Sequence, residues 1–343
     1  MTRRTRRFLV GSAFIVMVGL CTGLVAYYNG GLPMMSSGPG PAELGYIPDT
    51  ATVVAFANVS EIMKSDLHKH LESMVGSGGQ GRNELQAELG VDLEKDIDSV
   101  VAGFGVGEGA SGADQKVASA RDAAGRTIVL IRGRFDRPRI ESVLKEHGST
   151  AEDYKGKQIF REDAQSAIGT EGGVAFLEPN LIALGSIDAV KLAIDTRDNG
   201  NSVRKNADLM KFVAEVDPMS NAWVTGRVDS ITKNASLPAE ARTRLAAVQW
   251  FSVAARVDGG VSGVARAEAR DDQSGEDLRS VVRGGLAAAR LMGGQNAKLD
   301  IAINSLQVSG TGKDVALAFN VPSDVLDVAN GIAGLKNLTS GKH

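Results

Sequence analysis

Two stretches carry the glycine spacing that can cradle a dinucleotide pyrophosphate, GEGASG (Gly107–Gly112) and GSGGQG (Gly76–Gly81). That chemistry needs a strand, a tight turn and a helix N-terminus in succession, so that backbone N–H groups meet the phosphates. GEGASG follows a strand-like run but leads into the polar ADQKVASARDAAGR, with no amphipathic helix behind it. GSGGQG precedes the helix-like RNELQAEL but follows another helix. Both read as loops, and Arg82 as an exposed helix-start residue, with anion binding there as the alternative. No cofactor is expected.

Metal and nucleophile chemistry fare no better. The histidines are His68, His70, His147 and His343. His68 and His70 are two apart on a helix, so they point to different faces and lack the i,i+3 or i,i+4 spacing of a ligand pair. A solvated helix face is expected there, and no metal. No G-x-S-x-G elbow occurs, and GVSGV around Ser262 fits an outgoing strand. The acid clusters Asp271-Asp272 and Glu94/Asp96/Asp98 could in principle supply the two carboxylates of a glycosidase. Adjacent acids usually face water, however, and with aromatics at 5% there are few platforms for sugar stacking. No catalytic residue is nominated. The expectation is a non-enzymatic protein, with a hydrolase using dispersed carboxylates as an alternative.

The most informative stretch lies at the start. Phe8 to Tyr28 holds no charge, and its 21 positions would reach roughly 31 Å as a helix, one hydrocarbon core. Its apolar anchor residues are Phe8, Leu9, Val10, Phe14, Ile15, Val16, Met17, Val18, Leu20, Leu24 and Val25, with Tyr27 and Tyr28 at an interfacial belt. Arg3, Arg4, Arg6 and Arg7 precede it, so the positive-inside rule keeps the N-terminus in the cytoplasm and sends the chain outward. A cleaved signal peptide would have a shorter apolar core and a small-x-small site, but the best candidate, ending at Ala26, has Leu24 at −3. A lipoprotein reading would use Cys21, but Leu20 stands where a small residue belongs. An uncleaved single-pass anchor is therefore expected.

Composition narrows the partners. Setting the four N-terminal arginines aside leaves 34 basic against 41 acidic residues. An acidic exported part argues against nucleic acid and against electrostatic docking of the whole on anionic lipid. The single cysteine permits no intrachain disulfide.

The elements that would position any site recur along the chain. A basic tail (1–7), the anchor (8–28) and a Gly/Pro/Ser tether (29–42) precede a first α+β unit (43–202), a hinge (203–217), a second unit (218–335) and a flexible tail (336–343). Within the units, alternating strands switch to helical period at VVAFANVSEIM, IVLIRGRFDRPRI, LIALGSIDAVKLAI, AWVTGRVDSI and VALAFNVPSDVLDVA, with Ser60, Asp136, Asp188, Asp229 and Ser323 as expected N-caps. IPDTATVVAFANVSEI (47–62) matches VDPMSNAWVTGRVDSI (216–231) in pattern. This suggests an internally duplicated β-α-α-β-β-α-β-β-α unit. FSVAARVDGGVSGVARAEAR predicts a hairpin turning at Asp258-Gly259. The helix expected at 274–292 carries an apolar stripe of Leu278, Val281, Val282, Leu286, Ala289 and Leu291, for packing on its own sheet or on another subunit. Meandering strands with helices on one side imply mainly antiparallel sheets.

The entry Ile47-Pro48-Asp49-Thr50 and the closing Asn320-Val321-Pro322-Ser323 resemble those of bacterial exported, N-terminally anchored proteins of unknown function with repeated strand-to-helix units. The resemblance implies location and fold and brings no catalytic residues. The expected class is thus α+β: an N-terminal transmembrane helix followed by a duplicated, mainly antiparallel sheet-plus-helix ectodomain. It would be extracytoplasmic, and periplasmic in a two-membrane bacterium. The expected role is binding within, or an accessory subunit of, an envelope complex, with a protein partner. A carrier holding an apolar small molecule or lipid between the two units is the alternative.

Overall fold

The computed structural model describes residues 40–68, 86–106, 126–162, 171–229, 245–293 and 297–323. The anchor residues, the four arginines, both glycine motifs and Arg82 lie outside these, as do His70 and His343. Among the described residues no helix is long and apolar enough to cross a membrane.

A 3-10 turn (Ala42–Tyr46) leads to β1 (Val53–Ala57) and α1 (Val59–Lys64). Then come β2 (Ile97–Phe104), β3 (Thr127–Gly133), α2 (Arg137–Glu146), β4 (Thr150–Tyr154), β5 (Lys157–Glu162), β6 (Gly172–Glu178), β7 (Leu181–Ser186) and α3 (Ile187–Asn199). The rest is α4 (Ala207–Ala214), β8 (Ala222–Arg227), β9 (Val248–Val257), β10 (Gly260–Ala269), α5 (Asp272–Gly293), α6 (Ala297–Asn304), β11 (Gln307–Ser309) and β12 (Asp314–Pro322). The strands form one twelve-stranded sheet in the order β11-β12-β10-β9-β8-β1-β2-β3-β7-β6-β5-β4, with every pairing antiparallel.

Helices cover both faces of this sheet, not one. On the first face the N-terminal turn, α3 and α4 bury Leu44, Ile47, Val190, Ala193, Leu209 and Val213 over Ile128, Leu130, Leu181 and Ala183. On the second face Ile140 and Leu144 of α2, with Val91, close over Val129, Ile131, Phe160, Phe176 and Ile182. Period-2 alternation in β3 sends Ile128 and Leu130 one way and Val129 and Ile131 the other, so the strand is apolar throughout.

Local signals account for most boundaries. Asp136 caps α2 as expected, accepting from the Arg139 N–H at 3.2 Å, with Pro138 in the first turn where no N–H is needed. The caps of α1 and α3 are Asn58 and Ser186, accepting from Glu61 and Ala189, so Ser60 and Asp188 sit inside their helices. In both cases the capping oxygen must stand three residues before the N–H it accepts, and the expected residue is too far along. The stretch 203–217, read as a hinge, holds α4, whose Leu209, Phe212 and Val213 are buried. Towards the C-terminus α6 runs to Asn304, and β11 begins only at Gln307.

The strand order reads alike outward from the central β1–β8 pair: β1-β2-β3-β7-β6 on one side, β8-β9-β10-β12-β11 on the other. Details recur too. The β2–β3 ladder slips between Ile97 and Ser99, opposite Gly133 and Arg132, and the β9–β10 ladder slips beside Ala269 and Glu268, opposite Val248 and Trp250. Arg134 N–H donates to Asp96 O at 2.8 Å, and Arg270 N–H to Ala247 O at 2.9 Å. Gly133 N–H donates to Asn180 O, and Ala269 N–H to Lys313 O. Asn58 N–H reaches Asn221 O, and Arg227 N–H reaches Thr52 O, each at 2.9 Å.

Covering is uneven. Every residue of β7 is buried, whereas Gly260 to Glu268 of β10 are all only half-buried. Across the ladders from β10, Phe251, Val253, Leu317 and Phe319 are half-buried as well. At the outer edge β11 pairs only with Ala316 to Ala318 of β12, and the next outward N–H, that of Asn320, donates to Ser305 Oγ at 3.2 Å.

Candidate functional site

Three places combine exposed surface with organised side chains. The first is an open depression of about 750 Å³ that runs along α3. One wall is the entry loop 48–50, tied to the loop after α3 by the Pro48–Ser202 bridge, by Asp49 N–H to Asn201 O and by Val203 N–H to Ile47 O. The ends of the β2–β3 pair, Val106 and Arg126, supply another. Val106, Ala189 and Thr196 make a buried floor, while Asp49 and Asp188 stand exposed on the rim.

The other charges of this rim are already engaged. Asp195 takes Lys155 Nζ at 2.6 Å and the Tyr154 hydroxyl at 3.0 Å, and Lys191 Nζ meets Glu152 at 2.5 Å. The Lys155 hydrogen bond holds the Asp195 carboxyl below its usual range, and Lys191 does the same for Glu152. Carboxylates held ionised do not serve as general acids, which need a raised pKa. Neither Asp195 nor Glu152 is therefore suited to protonate a molecule bound there.

The second place is a half-buried ionic cluster under the N-terminal turn. Glu43, itself buried, receives Arg132 Nε, and Arg132 also reaches Glu178 at 3.2 Å and Asn180 at 3.1 Å. The Tyr46 hydroxyl donates to Glu178 at 3.0 Å, with the Arg197 guanidinium 5.2 Å over its ring. Burial, then the Glu178 carboxylate, pushes the Tyr46 phenol up to about 12. Burial lowers Arg132, but Glu43 and Glu178 together outweigh it and leave it raised. Arg204 donates to Pro41 O at 2.7 Å, and burial lowers its pKa. These contacts fix residues 41–46 against the rest of the fold.

The third is the outward side of α5. Asp271 caps it, accepting from Ser274 N–H at 2.7 Å. Arg279 is 4% exposed and clamps Gly312 O and Asp314 O while pairing with Glu276. Leu278, Val282, Leu286 and Ala289 of the expected stripe are half-buried. Val281 and Leu291 are not on it: they are 45% and 89% exposed, because the buried side repeats every three to four residues through 278, 282, 286 and 289. Ile301 of α6 is 50% exposed. A Cβ added at Gly284 or Gly285 would meet nothing within 4 Å.

Residues weighed for chemistry have structural tasks where they are described. His68 does not sit on a solvated face: its Nε2 is buried 3.7 Å from Glu94, without a hydrogen-bond partner. His147 lies at the C-cap of α2, 3.7 Å from Glu88. The 92–98 acids shape a turn, with Asp96 accepting from Asp92 N–H, Asp92 from Glu94 N–H, and Asp98 pairing Arg134. Ser262 stands in β10. Among the described residues no group of three or more His, Cys, Asp or Glu could hold a metal. The depression joins residues from 48 to 201, a set without a local motif, and sequence reasoning did not find it.

Comparison with known proteins adds little. No family model and no curated protein matches the chain. Among solved structures it is similar to TP0453, in crystal form I, at 8% identity and a TM-score of 0.46, over 88% of this chain and 99% of that one. A likeness so distant carries no argument about function.

Proposed function

We propose that this chain is a non-enzymatic, single-pass membrane-anchored extracytoplasmic protein that binds another envelope component, as a partner or accessory subunit. The observation that carries the reading is the uneven covering of the sheet. The first unit is closed on both faces, while β10 and its neighbours leave Val261, Phe251, Val253, Leu317 and Phe319, which share one face of the sheet, half in water. Contiguous apolar surface of this kind characterises interaction sites. The anchor reading rests on the uncharged Phe8–Tyr28 segment and the arginines before it.

An internal duplication underlies this division into a scaffold and a binding half. It is supported by the strand order on either side of β1–β8, by the paired ladder slips and by the three matched pairs of backbone hydrogen bonds. The carrier alternative needs space between the units. There the β1–β8 ladder and the Phe56–Trp223 stack, with centroids 5.8 Å apart, occupy the junction.

The test is co-purification of the full chain from native membranes in mild detergent, with Leu317→Asp as comparison. A stoichiometric partner retained by the native chain and lost by the variant is expected. A strictly monomeric chain without a partner at native levels refutes the reading.

A further inference from the structure

We propose that the depression along α3 binds a linear aliphatic polyamine, with one end ammonium group on Asp49 and the other on Asp188. It is a different place from the β10 surface, and nothing in it depends on that surface binding a partner.

The charges that line the depression differ in what they already hold. Three carboxylates, Asp49, Asp188 and Asp195, stand against two cations, Arg126 and Lys191. Lys191 is held by Glu152, Asp195 by Lys155 and Tyr154, and Arg126 is also engaged. Asp49 and Asp188 are exposed, and among the described residues neither side chain has an ion pair or a hydrogen bond. The unengaged charge of the lining is therefore negative.

These two carboxylates sit towards opposite ends of an elongated floor. From Asp188 to Asn199 the depression follows α3 for about 17 Å. Asp188 lies in the first turn of the helix. Asp49 lies beyond its other end, where the Asp49 N–H donates to Asn201 O at 3.1 Å. Ala189 and Leu192 give apolar surface along that length, and Val106 adds to it. Methylene groups suit such a floor, and ammonium groups suit its ends. A triamine such as spermidine measures roughly 11 Å between its end nitrogens, and two charge-assisted contacts of about 2.8 Å bring its reach to roughly 17 Å.

Thr196 is a separate sign of a ligand. It is 2% exposed, it lines the depression, and no described residue hydrogen-bonds its hydroxyl. What little it exposes therefore faces the depression. A hydroxyl at a buried helix position is unfavourable unless something completes it, and the similarly shaped valine would carry no such cost. Thr196 lies about 12 Å along the helix from Asp188, the level at which a secondary ammonium between the two ends would donate to it.

The test titrates spermidine, and separately putrescine, into the full chain in neutral detergent at low ionic strength, followed by calorimetry. Spermidine should bind about tenfold more tightly than putrescine, whose roughly 6 Å between nitrogens engages one end at a time. Asp49→Asn and Asp188→Asn should each weaken spermidine about tenfold, and Thr196→Val about threefold. Asp208→Asn, the same change of charge on an exposed residue of α4, should leave binding within about twofold. Absence of spermidine binding at about 10 mM overturns the proposal. Equal weakening by Asp208→Asn also overturns it, because binding then follows overall charge. So does putrescine binding as tightly as spermidine, since the two ends are then not bridged. Magnesium that displaces spermidine where sodium at the same ionic strength does not assigns the carboxylates to a metal ion, and overturns it too. Loss of a partner on Leu317→Asp is read in a separate experiment, so either reading can fail alone.

Discussion

Replacing Tyr46 by Phe should cost stability at neutral pH and cost little of it at alkaline pH. At pH 7 the variant loses the 3.0 Å bond to Glu178, a hydrogen bond to a charged acceptor worth about 2 kcal/mol. Arg132 remains on Glu178, and a phenyl ring still receives Arg197, so neither partner is orphaned. The phenol titrates at about 12 in the folded chain against 10 when unfolded. Below pH 10 both states keep the proton and the native stabilisation is complete. Between pH 10 and 12 the unfolded state alone ionises, so stability is lost by about 1.4 kcal/mol per pH unit, roughly 3 kcal/mol in all. The Phe variant lacks this loss. Urea denaturation in mild detergent, followed by Trp223 and Trp250 fluorescence, should therefore show a gap of about 2 kcal/mol at pH 7 that has mostly closed by pH 11. A gap that stays constant from pH 9 to 11 would refute a buried, carboxylate-bound phenol.

Three further changes test the packing. Trp223→Ala should cost about 3–5 kcal/mol in the same denaturation, because the ring is buried and stacked on Phe56 where the two halves meet. Arg279→Ala should cost about 2–3 kcal/mol, and hydrogen exchange should quicken around 310–316, since Gly312 O and Asp314 O lose their donor. Leu291→Ser should change stability by less than about 0.5 kcal/mol, as the side chain touches little within the chain; a larger loss would place it in a core.

Elements with local signatures were legible in the sequence. The hairpin at Asp258-Gly259 and the Asp136 cap follow from turn chemistry and capping spacing that act within a few residues. β4 was missed because Thr150–Tyr154 is a charged edge strand without apolar alternation. α4 was missed although Asn206 and the spacing of Leu209, Phe212 and Val213 spell a capped amphipathic helix; the assumed hinge hid it. Which face each helix covers depends on crossovers between distant strands, and no local pattern reports that. The depression by α3 is non-local for the same reason, while the bare side of α5 was legible only as composition, because Val281 and Leu291 look like core residues until the helix is seated.

The short β11 has a consequence for how copies of the chain meet one another. It leaves the end of β12 facing outward, the kind of open edge on which another chain could add a strand. Ser305 already occupies the Asn320 N–H, and two residues on, where the next N–H would point the same way, stands Pro322, which has none. At the opposite end β4 carries Glu152 and Asp153 along its rim. Both edges of the twelve-stranded sheet are thereby blunted, so copies can gather without polymerising through them.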